Sequence, residues 1–94
     1  MTITKIKKDK TAEIDLGNSP TMTISSDLGV AEVYVDYEKK PGEFVSAIKG
    51  NAGYKSPFSL RNGEPKVVFK KDLESEHLRV GAQNNDITVS YETI

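Results

Sequence analysis

The sequence predicts an all-β protein: an antiparallel β-sandwich of roughly seven to eight short strands, jelly-roll or immunoglobulin-like in its wiring, with a small barrel as the alternative closure. Three observations carry that expectation. Apolar and polar side chains alternate with period two through most of the 94 residues, which is the repeat of a half-buried strand. Turn-forming residues interrupt the alternation at intervals of ~8–12 residues, the spacing of sandwiches and barrels. A helical period is hard to find, and only "EFVSAIKG" (Glu43 to Gly50) is ambiguous enough to read as a short helix.

Taken in order, "TKIKKDKT" is a polar opening ribbon with Ile3 and Ile6 as its apolar anchors. "AEIDLG" aligns Ala12, Ile14 and Leu16 on one face before Gly17 to Pro20 break the strand. "TMTIS" alternates Met22 and Ile24 with Thr21, Thr23 and Ser25. "SSDLG" reads as a turn, since Ser and Asp bond nearby backbone and Gly29 tolerates positive φ. "AEVYVDYEKKPGE" then places Ala31, Val33, Val35 and Tyr37 opposite Glu32, Tyr34, Asp36 and Glu38. One face of that ribbon is fit for a core and the other for water, as in a one-sided antiparallel sheet. "NAGYKSPFSLRNGEP" is loop-rich around a brief "FSL"; "KVVFKKDLE" and "HLRVGAQ" are two further ribbons, the second aligning Leu78, Val80 and Ala82. After the turn "NND", "ITVSYETI" closes the chain with Ile87, Val89 and Tyr91 on one side. No linker, repeat or low-complexity segment divides it, so residues 1–94 are expected to form one domain.

Composition limits the functional classes. A chain of this length buries roughly 60–65% of its unfolded surface, so the core is modest. Hydrophobic residues make up 36%, below the ~45–50% usual for soluble domains on a scale that also counts glycine. Charged residues make up 29% with both signs interspersed, and the net charge is −1. That balance argues against a protein that wraps nucleic acid, and it leaves self-association unopposed. There is no cysteine, which excludes a disulfide scaffold. "MTITKIKKDK" has no apolar core of the kind a secretory leader carries, and no apolar run approaches the ~20 residues of a membrane helix. A small core without disulfides is commonly stabilised by oligomerising or by docking on something larger.

Several stretches invite a chemical reading, and in each a plainer one is favoured. "GNAGYKS" (Gly50 to Ser56) departs from a phosphate-binding loop because Tyr54 separates Gly53 from Lys55 and Pro57 follows at once, with no long helix. The same "GNAG" lacks the flanking helices of a nucleotide-clamping GXXG loop. "DLESEH" (Asp72 to His77) gathers three carboxylates and the sole histidine. A hard cation would accept its oxygens, with Asp72, Glu74 and Glu76 the first ligands to suspect. Zinc asks for several His or Cys ligands, so a solvated loop is the expectation. One histidine in a Glu-rich turn also gives no Ser-type triad, and so small a domain has little room for a glycosidase cleft. "KIKKDK" (Lys5 to Lys10) has Asp9 in its midst and no aromatic nearby to stack on bases. It is read as an edge strand guarded by lysines. Phe44, Phe58 and Phe69 are expected in the core, while Tyr34, on a polar face, and Tyr54, in a glycine loop, are expected at an interface.

The opening "MTITKIKKDKTAEIDLG" and the closing "DITVSYETI" resemble small all-β accessory proteins of tailed bacteriophage virions, which decorate the head or build peripheral parts of the tail. The resemblance implies a structural, non-enzymatic role in the virion after synthesis in the host cytoplasm. Its partner would be the major capsid or tail protein lattice; the small core and low net charge add the expectation of a homo-oligomer, and the charge balance, apolar runs and ligand count that of no nucleic acid, membrane, metal or cofactor. The contact residues expected are Ile3, Lys5, Ile6 and Lys8 of the N-terminal ribbon, with Tyr34, Tyr54, Lys55 and Phe58. On that expectation, deleting Thr2 to Lys8, or Tyr54→Ala, leaves a folded monomer with weakened assembly. The other class to weigh is a binding module, for carbohydrate or for a host protein that it inhibits.

Overall fold

A computed structural model describes residues 1–92 and contains, among them, nine strands and one short 3-10 turn, Lys70–Asp72. The strands are β1 (Thr2–Ile6), β2 (Thr11–Asp15), β3 (Thr21–Ser26), β4 (Val30–Lys40), β5 (Glu43–Ser46), β6 (Phe58–Arg61), β7 (Lys66–Phe69), β8 (His77–Gln83) and β9 (Ile87–Tyr91). The ambiguous "EFVS" is a strand, and with the short β6 it raises the number above the seven to eight expected. Thr93 and Ile94, the end of the last predicted ribbon, lie outside the described residues.

The strands form two antiparallel sheets. One runs β1-β9-β3-β7; the other runs β2-β8-β4-β5, with β6 also paired to β4. The pairs β1·β9, β2·β8, β3·β7 and β4·β5/β6 nest inside one another, so the chain is one long hairpin folded over, its arms alternating between sheets. This is the jelly-roll wrap, one of the two wirings the alternation allowed.

Side-chain parity sorts the two faces of each sheet. Met22, Ile24, Ile87 and Val89 from one sheet meet Val33, Val35, Leu78 and Val80 from the other, all essentially without solvent contact. Each such burial stabilises by roughly 1.5–3 kcal/mol. Ile6, at 2% exposure, belongs to this core. The core role expected for the phenylalanines holds in part: Phe58 packs against it half-buried. Phe69, at 46% exposure, lies outside. Because Val68 takes the inward position of β7, its neighbours Val67 and Phe69 must point away. Phe44, opposite Glu38 in the register, lies on the outer face of the five-stranded sheet.

β4 changes partner partway along its length. β4 pairs with β6 from Val30 to Val33 and with β5 from Asp36 to Lys40, leaving a gap at Tyr34 and Val35 where the chain departs as residues 47–57. Backbone groups buried there need partners. The Val35 N–H donates to Ser56 Oγ (2.8 Å), and its carbonyl accepts from the Ala47 N–H (2.9 Å).

Candidate functional site

The residues singled out from the sequence do not make one patch. Ile3 and Lys5 point outward from β1, with Ile3 62% exposed, whereas Ile6 points into the core and is unavailable to a partner. The pairing of β1 to β9 makes "TKI" part of an edge strand, the place read for the lysine-bearing ribbon. Lys8 lies beyond it in the β1–β2 turn, its N–H donating to Asp86 Oδ1 (2.9 Å). That bond, with Lys7 and Lys8 close by, holds the Asp86 carboxyl below the usual carboxylate range. Tyr34 is on the far side of the molecule, on the outer face of the five-stranded sheet.

Tyr54, expected to project from a glycine loop, instead closes that loop over the core. Its ring meets Phe58 edge-on (5.7 Å between centroids), and Lys66 from β7 sits over it with Nζ 3.9 Å from the centroid. Lys55 is exposed beside it. The Tyr54 hydroxyl is buried and makes no hydrogen bond among the described residues. Burial, and then the nearby Asp72 carboxylate, push its pKa up. Tyr54→Phe is therefore expected to leave the melting temperature unchanged or raised, because an unpaired buried hydroxyl costs about 1–3 kcal/mol. Tyr54→Ala is expected to lower stability by roughly 2 kcal/mol through lost packing, with the chain still folded. Thermal unfolding of both variants checks this; a Tyr54→Phe protein markedly less stable than the parent would reveal a partner for the hydroxyl.

The acidic turn is also rearranged. Asp15 of β2 lies opposite His77 in the register and brings its Oδ2 within 3.4 Å of Nδ1, while Glu76 Oε1 is 3.7 Å from Nε2. Among the described residues this trio, and not Asp72 or Glu74, is where a histidine and carboxylates converge. Lys70 Nζ already pairs with Glu76 Oε2 at 3.1 Å and donates to the Gly17 carbonyl. The trio is open to solvent and reads as a polar surface cluster joining β2 to β8, with Lys70–Glu76 as its ion pair.

The two outer faces differ in chemistry. On the four-stranded sheet the register sets Ile3, Ser90, Thr23 and Val67 in one row across all four strands. Thr21 with Phe69, and Thr88 with Ser25, flank that row. Formal charge is kept to the ends. At one end Lys5 Nζ donates to Thr88 Oγ1 (3.2 Å) near Asp27; at the other, Lys71 leans over the Phe69 ring and Glu92 lines a groove with Met1, Thr21, Thr23 and Ser90. The five-stranded sheet is instead densely charged, with the row Glu13, Arg79, Asp36 and Ser46 across β2, β8, β4 and β5. Arg79 stacks on Phe44 (3.5 Å to the ring centroid), and its Nε lies 3.5 Å from Glu13 Oε1.

Beside that row is a cleft of about 280 Å³ lined by Asp9, Lys10, Thr11, Tyr34, Asp36, Arg79, Gly81, Ala82 and Gln83. Of these, only Tyr34 is among the contact residues expected from the sequence. A signal is present all the same, because a glycine inside an otherwise regular strand, Gly81 in "HLRVGAQ", marks a close approach. Burial raises the Asp36 pKa, against the lowering effects of the Ser56 hydroxyl and Arg79.

Comparison with family models, with curated proteins and with solved structures gives no match to this chain. Among the described residues no helix is long and apolar enough to cross a membrane. The jelly-roll wrap serves shell-forming and lectin domains alike, so surface chemistry rather than fold has to indicate the role.

Proposed function

We propose that the protein is a non-enzymatic structural module that docks by the outer face of its four-stranded sheet on a larger protein lattice, as accessory proteins of tailed-phage virions do. The observation that supports this reading is the row Ile3–Ser90–Thr23–Val67 with Phe69 beside it. Across four strands it carries hydroxyls, methyls and exposed apolar side chains, and no formal charge. Interface centres are depleted in charge in the same way, with charged groups left at the rim. Here Lys5 and Asp27 stand at one end of the face, Lys71 and Glu92 at the other. Docking there would stabilise the assembled lattice by preferential binding to it. Ile3 and Lys5, from the contact residues expected in the sequence, belong to this face.

The test is co-sedimentation with assembled particles, with the purified protein's mass in solution measured beside it. The parent chain is expected in intact virions. Thr23→Lys puts a charge at the centre of an exposed face, where the cost to folding is within about 0.5 kcal/mol. It is expected to abolish particle binding while leaving circular dichroism and melting unchanged. Absence of the parent chain from particles, or full binding by Thr23→Lys, overturns the reading.

A further inference from the structure

The cleft over Gly81 lies on the face opposite the proposed docking surface, and its construction concerns a different ligand. Thr11, Gly81 and Tyr34 form one row across β2, β8 and β4. Gly81 leaves the middle of that row bare: a Cβ there would come within 3.1 Å of Thr11 Cγ2, a tight contact that the Thr11 side chain would have to ease. The floor is thus backbone, with the Tyr34 ring beside it. The Asp9–Lys10 turn forms one wall and is pinned to β8 by two backbone hydrogen bonds, Asp9 N–H to the Ala82 carbonyl (2.7 Å) and Ala82 N–H to the Lys10 carbonyl (3.3 Å). Arg79 and Asp36 form the opposite wall. The Arg79 guanidinium is held by stacking on Phe44, and Gln83 Oε1 accepts from the Tyr34 hydroxyl (3.3 Å).

The charge on these walls cancels: Asp9 and Asp36 against Lys10 and Arg79. A net-charged ligand gains little from such a site. A neutral one rich in hydroxyls finds donors in Arg79 and Lys10, acceptors in Asp9 and Asp36, and groups able to do both in Gln83 and Thr11. The Tyr34 ring offers its electron-rich face to C–H groups carrying partial positive charge. A pyranose combines these features, with hydroxyls around its edge and C–H bonds on its face. The volume, just under the ~300 Å³ at which drug-sized pockets begin, suits one sugar ring.

From this geometry we infer that the cleft between the β1–β2 turn and the Tyr34–Arg79 pair binds a single neutral hexopyranose unit. Arg79 and Asp36 bond its hydroxyls, and Tyr34 stacks on its C–H face. Asp36 stands in the wall directly opposite Arg79 in the β4–β8 register, so the two present an acceptor and a donor side by side.

The experiment is backbone amide NMR titration of the full chain with methyl glucoside, methyl galactoside and methyl mannoside, beside sulfate and an anionic sugar acid. At least one neutral glycoside is expected to shift Thr11, Tyr34, Gly81 and Gln83 with a millimolar dissociation constant. Tyr34→Ala and Gln83→Ala, both with a native-like amide spectrum, are expected to weaken it by about tenfold or more, about 1.4 kcal/mol. The inference is overturned if no neutral glycoside shifts these residues, if only the anionic probes do, or if both variants bind as the parent does. Since Thr23 lies on the other sheet, failure here leaves the docking test unaffected.

Discussion

Val35→Asp is expected to abolish the folded state at neutral pH, seen as loss of the sheet circular dichroism signal and of any cooperative thermal transition. Val35 has no solvent exposure and lies opposite Val80 at the centre of the five-stranded sheet. Both its backbone groups are already used to bridge the gap between β5 and β6, so the strand has little freedom to turn the new carboxylate outward. Among the described residues the buried side chains are apolar apart from Ser19 and Ser26, and none is a cation. An unpaired charge buried there costs several kcal/mol, and valine's own burial of roughly 1.5–3 kcal/mol is lost as well. A chain of this size has only about 5–14 kcal/mol of stability to lose. Glu38→Gln is the matched control on the opposite face of the same strand. Glu38 is exposed and its Oε2 accepts from the Gly42 N–H (2.8 Å), a bond that an amide oxygen can keep. Its melting temperature should differ little from the parent's. A Val35→Asp protein melting with the parent would mean that the two faces of β4 have been assigned the wrong way round.

Alternation makes this face assignment legible in the sequence of β4, and the same holds for β3, β8 and β9. In each, Val, Ile, Leu, Met or Ala fills most of the inward positions, with polar residues or glycine between. The pattern is least informative where apolar residues occupy both parities. In "KVVF", burying Val68 sends Val67 and Phe69 outward, and composition alone does not reveal which valine faces in. In "SAIK", the Ile48 N–H turns back to Ser46 Oγ (3.2 Å), the strand ends, and Ala47 and Ile48 are both buried. Strand partners are a different matter. The nested pairing joins β1 to β9 and β2 to β8 across most of the chain, and no local pattern encodes it. For that reason the Gly81 cleft, assembled from β2, β4, β8 and a turn, is invisible along the chain, although Gly81 itself stands out as a glycine within a strand. Tyr54 is misplaced for the same cause: a loop of Gly, Asn and Ser looks solvated until Lys66, from another strand, covers the ring.

The nested pairing also reverses what the N-terminal ribbon alone suggests. Deleting Thr2 to Lys8 is expected to destabilise the fold and drive self-association, instead of sparing a monomer and weakening assembly. β1 contributes five residues of antiparallel register to β9, and its last residue, Ile6, is a core side chain at 2% exposure. Losing Ile6 alone removes roughly 1.5–3 kcal/mol of burial. The deletion also removes the Lys8 N–H that the Asp86 carboxylate accepts from. With β1 gone, one side of β9 becomes an open edge whose sequence, "ITVSY", is rich in strand formers and free of charge. β1 keeps that edge covered and presents Lys5 at the border in its place, a charge of the kind that discourages sheet-to-sheet pairing. The truncated chain should therefore melt at lower temperature and sediment as larger, concentration-dependent species through β9. Ile3→Lys separates this effect from docking, because it changes the outer face and leaves the β1 ladder and Ile6 in place. It is expected to sediment like the parent, with an unchanged melting temperature. A truncated protein that keeps both the parent's melting temperature and its mass would show that β1 is dispensable to the fold, and that Ile6 adds little to the core it occupies.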